Sequence, residues 1–284
     1  MTGASATKER VGIIGVGRMG LAMAKHLVKH RYAVTACDID PGQLDKARDA
    51  GAAVAESPAA LGRAAEFVIL GVGYDEEVNA VTLGPKGLLE TLAPGSVIAV
   101  SSTVSPDTVK ALDERARAKG SDVLDAPTCR GRLAADAGTL LALCGGKAQV
   151  IERSRPIYET FCSDIAHLGE VGHGQVGKAL NNLLLWINAV GLIEAGRLAE
   201  TTGIDLPKLR QALMLGTGNS AAFQEWDMIS FTWALKDMHI VSEMTDRAGL
   251  SLPLTGAVRE LVKEARRIKA ANPPDWTGRR PARA

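Results

Sequence analysis

Val11-Gly-Ile-Ile-Gly15-Val-Gly17-Arg-Met-Gly20-Leu-Ala-Met-Ala-Lys-His-Leu27 is the stretch that decides how the rest of the chain is read. Val11–Ile14 is an apolar run of strand length that ends in glycine. From Met19 to His30 the spacing turns helical, with Leu21, Ala24, Leu27 and Val28 on one side. Gly15, Gly17 and Gly20 form G-x-G-x-x-G between the two. In that setting each glycine has a steric task. The first permits a tight turn, the second lets a pyrophosphate approach the backbone, and the third lets the helix lie close to the strand. The helix start then presents free N–H groups and the positive end of its dipole, with Arg18 and Met19 inside this first turn.

The next apolar run is Ala33–Cys37, and Asp38 closes it. A carboxylate about 20 residues beyond the glycines is placed to accept a bond from a ribose 2′-hydroxyl. Ile39 and Asp40 follow without an adjacent arginine, so a 2′-phosphate would meet negative charge. NAD is therefore expected over NADP, with Arg18 and Arg31 as the nearest cations in sequence. Asp38 also suits a turn or a helix cap before Pro41, and the two roles are compatible.

Phe67–Leu70, Val97–Val100, Val123–Leu124 and Leu140–Leu143 continue the alternation, with Ala- and charge-rich stretches such as Pro106–Lys119 between them. Strands alternating with helices predict βαβ units and a mostly parallel sheet. After about residue 170 the strand signals stop. Val176–Thr202 reads as one long helix that Gly203 ends, and Pro207–Leu215, Phe231–Ala248 and Pro253–Ala270 read as further helices. The expected fold is an α/β domain over 1–170 followed by an all-α domain over 171–284. Asn272–Ala284, rich in Pro and Arg, reads as a tail or a partner-docking segment.

Composition narrows the function. Lys plus Arg is 33 and Asp plus Glu 32 in 284 residues, a balance that argues against an extended nucleic-acid or polybasic membrane surface. Cys37, Cys129, Cys144 and Cys162 make no C-x-x-C pair, and no zinc spacing is present. His26 and His30 stand one helical turn apart but lack matching carboxylate or cysteine ligands, so no metal is expected. Met1–Glu9 has no apolar leader. Ala179–Ile193, a long uncharged stretch, is broken by Asn181, Asn182 and Asn188 and falls short of the about 20 apolar residues of a membrane span. A cytoplasmic protein is expected.

A second glycine-rich segment, Gly172-His-Gly174-Gln-Val-Gly177-Lys178, opens the long helix. Lys178 and Asn182 are i and i+4 and share a face. Leu183, Leu184, Leu185 and Trp186 make the surroundings apolar, a setting that suits an amine to acid–base work. The alternative is a solvated lysine near a helix start.

These segments together resemble the β-hydroxyacid dehydrogenase family, which includes 3-hydroxyisobutyrate dehydrogenases and tartronate semialdehyde reductases. Gly15–Leu27 (GVGRMGLAMAKHL) is similar to its cofactor motif, Asp125–Gly131 (DAPTCRG) stands where its substrate loop lies, Gly172–Asn182 (GHGQVGKALNN) resembles its catalytic motif, and Lys236-Asp237 its late lysine–aspartate pair. The resemblance implies a Rossmann domain, a helical domain and an active site in the cleft between them. Lys178 would be the acid–base residue, Asn182 would hold substrate, and Lys236 would lie beside the cofactor. Ser102 and Thr103 match the family's Ser-Thr pair near nicotinamide and substrate, although Val100 stands where many members carry an acid. The implied reaction moves a hydride between NAD(H) and a small β-hydroxy acid or its semialdehyde, in a homodimer or homotetramer.

The substrate loop departs from the family pattern. Where most relatives have Ser-Gly-Gly, this chain has Cys129-Arg130-Gly131, with Thr128 as a hydroxyl donor before them. A guanidinium fork suits a carboxylate, and equally a sulfonate or phosphate. Members acting on sulfolactaldehyde also carry an arginine there, so a hydroxysulfonate dehydrogenase is an alternative. Otherwise Arg130 faces solvent or pairs with Asp136. Cys129 reads as a replaced serine donor rather than a nucleophile. Two further classes remain: imine reduction, whose enzymes usually lack the lysine, and a non-catalytic nucleotide-binding module, which typically loses it too.

Overall fold

The computed structural model describes residues 8–279. The chain divides into two compact units, Met1–Lys178 and Ala179–Ala284, a few residues beyond the change of pattern at 170/171.

The first unit runs β1 (Val11–Ile14), α1 (Arg18–Lys29), β2 (Val34–Cys37), α2 (Pro41–Asp49), β3 (Ala53–Val54), α3 (Pro58–Ala64), β4 (Phe67–Leu70), α4 (Asp75–Leu83), β5 (Val97–Val100), α5 (Pro106–Arg117), β6 (Asp122–Asp125), β7 (Thr128–Cys129), α6 (Gly131–Ala137), β8 (Leu140–Gly145), α7 (Ala148–Tyr158), β9 (Cys162–Gly169) and the start of α8 (His173–Thr201). Strands β3-β2-β1-β4-β5-β6 are parallel and in that spatial order. The order reverses between β1 and β4, where an open α/β sheet leaves a crevice at its strand ends.

Both faces of this sheet are buried, which explains its unbroken apolar runs. Ile13, Ile69 and Ala99 face one way, against Ala24 and Leu27 of α1 and Ile151 of α7. Ile14, Leu70, Ile98 and Val100 face the other, against Leu61 of α3, Val78 of α4 and Leu112 of α5. The parallel sheet read from the sequence is therefore present, with an addition. Strand β8 runs antiparallel to β6, β7 antiparallel to β8, and β9 parallel to β8. The apolar signal misses β9 because the strand, CSDIAHLG, is largely exposed along its length.

The second unit holds the remainder of α8, α9 (Leu206–Leu213), α10 (Ala221–Gln224), α11 (Ala234–Ala248) and α12 (Pro253–Ala271). The expected helix from Phe231 begins three residues later. Phe231 is buried with φ +55°, a left-handed turn that cannot continue a helix. By length and composition α8 passes as a bilayer-crossing helix, contrary to the sequence expectation. Trp186, Val190 and Ile193 spend that apolar surface on the core of this unit.

The supposed tail is corrected over its first half; residues 280–284 lie outside the described residues. Trp276 is 1% exposed, donates from Nε1 to the Leu192 carbonyl at 3.0 Å, and meets Phe223 edge-on with centroids 4.9 Å apart. Gly196 makes the room, since a Cβ there would stand 2.3 Å from Cβ of Pro274. Trp276→Ala is expected to cost about 3–5 kcal/mol of stability. Thermal melting checks this, and an unchanged midpoint would return the segment to the status of a tail.

Candidate active site

The β1–α1 turn has the geometry of a phosphate cradle. Gly15 sits at φ +87°, and a Cβ there would stand 2.7 Å from the Gly71 carbonyl. At Gly20 a Cβ would fall 2.0 Å from the Gly15 carbonyl oxygen. Gly17 is the opposite case: its Cβ would meet nothing within 4 Å, so bare backbone borders open space. No side chain caps α1 at Gly17, which leaves the first-turn N–H groups for an anion. These features fit the pyrophosphate of a dinucleotide. Arg18 and Met19 offer their main chain here, because Met19 packs on the core and Arg18 is ion-paired to Asp136.

Asp38 takes hold of the same turn. Its Oδ2 accepts from Val16 N at 2.7 Å and its Oδ1 from Asp40 N at 2.9 Å. The helix cap before Pro41 is Asp40, which accepts from Gly42 N at 2.8 Å. Each carboxylate oxygen can accept a second bond, so Asp38 retains capacity for a ribose hydroxyl.

Beyond β5, Ser101 N and Ser102 N both donate to the Leu70 carbonyl at 2.9 Å. The buried Ser102 hydroxyl donates there too, at 3.3 Å, and Thr103 follows half-buried. Thr128 and Cys129 are not loop but strand β7, paired with Ala142 and Leu141. Arg130 then turns left-handed at φ +81° and Gly131 at φ +67°.

The Arg130 side chain stays exposed, as one sequence alternative had it, but its ion-pair partner is not Asp136. It donates to Asp164 Oδ2 at 2.6 Å, Ser163 Oγ at 2.8 Å and the Thr139 carbonyl at 3.1 Å. The partner comes from the unforeseen strand β9, and the guanidinium beside Asp164 holds that carboxyl below its ordinary range. Asp136 instead takes Arg18, and His26 Nε2 lies 3.0 Å from the Ala135 carbonyl, so α6 is stitched to α1.

Lys178, half-buried on α8, brings Nζ to 3.8 Å from Cys129 Sγ. The catalytic lysine candidate and the substrate segment thus meet in the first unit. Burial pushes the Cys37 and Cys144 thiols up to about 11 and about 12, which leaves them inert at neutral pH. Among the described residues no cluster of His, Cys, Asp and Glu is arranged for a metal ion.

Asn182, one turn further along α8, is buried and its Oδ1 accepts from Asn181 Nδ2 at 3.0 Å. Lys236 on α11 holds its ammonium 5.5 Å from the centroid of the Trp233 ring. The adjacent Asp237 is buried and accepts from Trp186 Nε1 at 2.9 Å, a structural bond inside the second unit.

Two residues escaped the sequence reading. Asp125 ends β6 fully buried, its Oδ2 accepting from Gly172 N and Gln175 N at 3.0 Å each. Burial pushes this carboxyl up to about 7 against the pull of those donors. Gln175 is buried as well and bonds Ser102 and Val104. The signal available was a lone acid closing an apolar strand, Val123-Leu124-Asp125, and a long amide within a glycine-rich helix start.

A cavity of about 740 Å³ lies by the N-terminal ends of β1, β4 and β5, where Lys8, Arg10, Arg63 and Arg153 face Glu9 and Glu66. Arg10 pairs with Glu66 and Arg153 with Glu9, so much of its charge is satisfied internally.

Residues 10–169 match the family model described as the NAD binding domain of 6-phosphogluconate dehydrogenase. Residues 172–275 match that of the NAD-binding region of NADP-dependent 3-hydroxyisobutyrate dehydrogenase. The NAD-dependent L-serine dehydrogenase of Pseudomonas aeruginosa is 32% identical over 77% of this chain and 74% of its own length. Mouse mitochondrial 3-hydroxyisobutyrate dehydrogenase is 34% identical over 75% of this chain, a match that spans 64% of the mouse protein, a little under two thirds. The solved 3-hydroxyisobutyrate dehydrogenase of Mycobacterium tuberculosis with L-serine superposes at a TM-score of 0.83 with 25% identity, covering 95% of this chain and 97% of that one. With the phosphate cradle, the Ser-Thr loop and the lysine motif in one unit, the chain belongs to the NAD-dependent hydroxyacid dehydrogenase family of 3-hydroxyisobutyrate dehydrogenase type.

Proposed function

We propose that the chain is an NAD-dependent dehydrogenase of a small β-hydroxy acid or its semialdehyde, with Lys178 moving the hydroxyl proton. The observation that carries this is the Lys178 ammonium at 3.8 Å from Cys129, directed at the substrate segment. Bound NAD supplies the hydride acceptor for the carbinol carbon. The protein's part is position and proton transfer. The neutral Lys178 amine takes the hydroxyl proton as the carbonyl forms, and the ammonium returns it in reduction. Thr128 and the main chain at Cys129–Gly131 hold the substrate's acidic group, with Ser102 as a further contact. Because Arg130 Nη1 is engaged by Asp164, Ser163 and the Thr139 carbonyl, a carboxylate held by the loop backbone is favoured over a sulfonate clamped by arginine. Gly15, Gly17, Gly20 and the first turn of α1 hold the pyrophosphate, and Thr103 serves the nicotinamide end of the dinucleotide. The experiment is the nicotinamide absorbance change with NAD and NADP against 3-hydroxyisobutyrate, glycerate, 4-hydroxybutyrate, serine, threonate and dihydroxypropanesulfonate. Turnover of a carboxylate is expected; turnover of the sulfonate alone would reverse the assignment of Arg130.

NAD preference rests on Asp38 beside Asp40. Asp38→Asn keeps an acceptor for the glycine turn but removes the charge that repels a 2′-phosphate. It is expected to narrow the NAD:NADP ratio of kcat/KM by about tenfold, the worth of one charge-assisted bond. An equal loss with both cofactors would mean that Asp38 serves the turn alone.

Cys129→Ser replaces a weak thiol donor with a hydroxyl. The variant is expected to keep turnover and to lower the KM of a carboxylate substrate several-fold, as steady-state kinetics reads directly. Abolished turnover would instead make the thiol itself a reactant.

A homodimer or homotetramer accompanies this reading. Leu180, Leu184 and Leu198 lie exposed along α8, a helix face suited to a second copy of the chain, and light scattering gives the mass.

A further inference from the structure

The reaction proposed for Lys178 gives no direct part to Asp125 or Gln175, yet both are buried beside the groups that take part. The oxygen of Asp125 that accepts from Gly172 N and Gln175 N meets α8 at its start, where N–H groups lack helical partners. Gln175 carries the connection on. Its Nε2 donates to the Ser102 carbonyl at 2.9 Å, and its Oε1 accepts from Val104 N at 3.0 Å. One carboxylate and one amide therefore join three segments: the end of β6, the loop after β5 and the first turn of α8.

The joint has no slack. A Cβ on Gly174 would stand 2.5 Å from the Leu143 carbonyl oxygen and 2.8 Å from that of Asp125, so the helix start lies directly on the ends of β8 and β6. Thr103 is bracketed by the two bonds from Gln175. Lys178 follows Gln175 by three residues on the same helix, and so on the same side. Whatever fixes the Gln175 amide fixes how Lys178 stands relative to Thr103.

We propose that Gln175 and Asp125 are positioning residues that lock the helix of Lys178 to the Ser102–Val104 loop and thereby set the rate of proton transfer. This rests on Lys178 as the acid–base group. Misplacement of a reacting group by about 1 Å costs on the order of 100-fold in rate. Buried amide bonds are the means of avoiding it, because no water takes their place when they are lost.

The test uses the full chain in three variants. Gln175→Met keeps the length and removes both bonds. Gln175→Glu, when its carboxyl is protonated, restores one donor and one acceptor. Lys178→Ala reports on the underlying reading. For each, kcat, KM, the Kd for NADH by fluorescence, the melting midpoint and the pH profile of kcat are measured. Gln175→Met is expected to lower kcat about 30- to 100-fold, with KM and Kd changed less than about threefold and the protein folded at the assay temperature. Gln175→Glu is expected to regain kcat relative to the parent as the pH is lowered. A role in folding alone would lower the melting midpoint and the active fraction but leave kcat per active site near the parent, with no recovery of Gln175→Glu at lower pH, which would overturn the proposal. A Gln175→Met variant with near-parental kcat while Lys178→Ala is inactive would overturn the positioning role and leave Lys178 standing. A fully active Lys178→Ala would overturn both.

Discussion

Lys178→Ala is expected to lower kcat by about 10²–10⁴-fold, the usual worth of a positioned general acid–base group, with the affinity for NADH unchanged. The separation of effects follows from the architecture. The lysine stands at the start of α8 beside Cys129, whereas the dinucleotide's pyrophosphate is assigned to the β1–α1 turn, which the substitution does not touch. Stopped-flow turnover together with fluorescence titration of NADH reads both quantities on one preparation. Parental turnover in the variant would remove the acid–base assignment, and a parallel loss of NADH binding would make Lys178 a cofactor contact instead.

The second large effect is a contrast between two glycines three residues apart. Gly20→Ala drives a methyl to within 2.0 Å of the Gly15 carbonyl oxygen, a main-chain atom that cannot turn aside. Helix α1 must shift away from the turn, at a cost of about 3 kcal/mol or more, and a lower melting midpoint is expected even without cofactor. Gly17→Ala meets no protein atom within 4 Å, so its melting midpoint is expected to stay within about 2–4 °C of the parent. The added methyl enters the space assigned to the pyrophosphate, and NADH affinity is expected to fall by at least about tenfold. Equal melting midpoints for the two variants would refute the steric argument. Intact NADH binding in Gly17→Ala would refute the cradle.

These contrasts show what a sequence discloses. The glycine turn, Asp38 and the opening of α8 are contiguous, so the chemistry and the local geometry share one short segment and can be read together. The parallel sheet was legible for a related reason: strands buried on both faces are written as unbroken apolar runs. Strand β9 was not, because an exposed strand has no reason to be apolar. The same blindness extends to what β9 carries. Arg130 had Asp136 as a candidate partner six residues on, and only the folding of an unforeseen strand brought Asp164 to it instead. Asp125 and Gln175 stand 50 positions apart in sequence, and their bond exists only once β6 and α8 have met. Trp276 was hidden by its neighbours, since the prolines around it give no helical or strand period although the indole is core.

The joining of Arg130 to Asp164 also bears on the turn that follows β7. A left-handed backbone such as that of Arg130 favours glycine; a non-glycine residue holds it at a cost of about 1 kcal/mol or more. The contacts to Asp164, Ser163 and Thr139 offset that cost and fix the turn from the outside.

Restoring turnover to Lys178→Ala with small primary amines tests the proton-transfer assignment most directly. In NAD-dependent oxidation of a hydroxy acid that the parent turns over, the predicted result is a rate that rises with free-amine concentration and, across amines of similar size, with amine basicity. A rate that stays flat across the series, in a variant that still binds NADH, would contradict the assignment of Lys178 as the group that takes the substrate's proton.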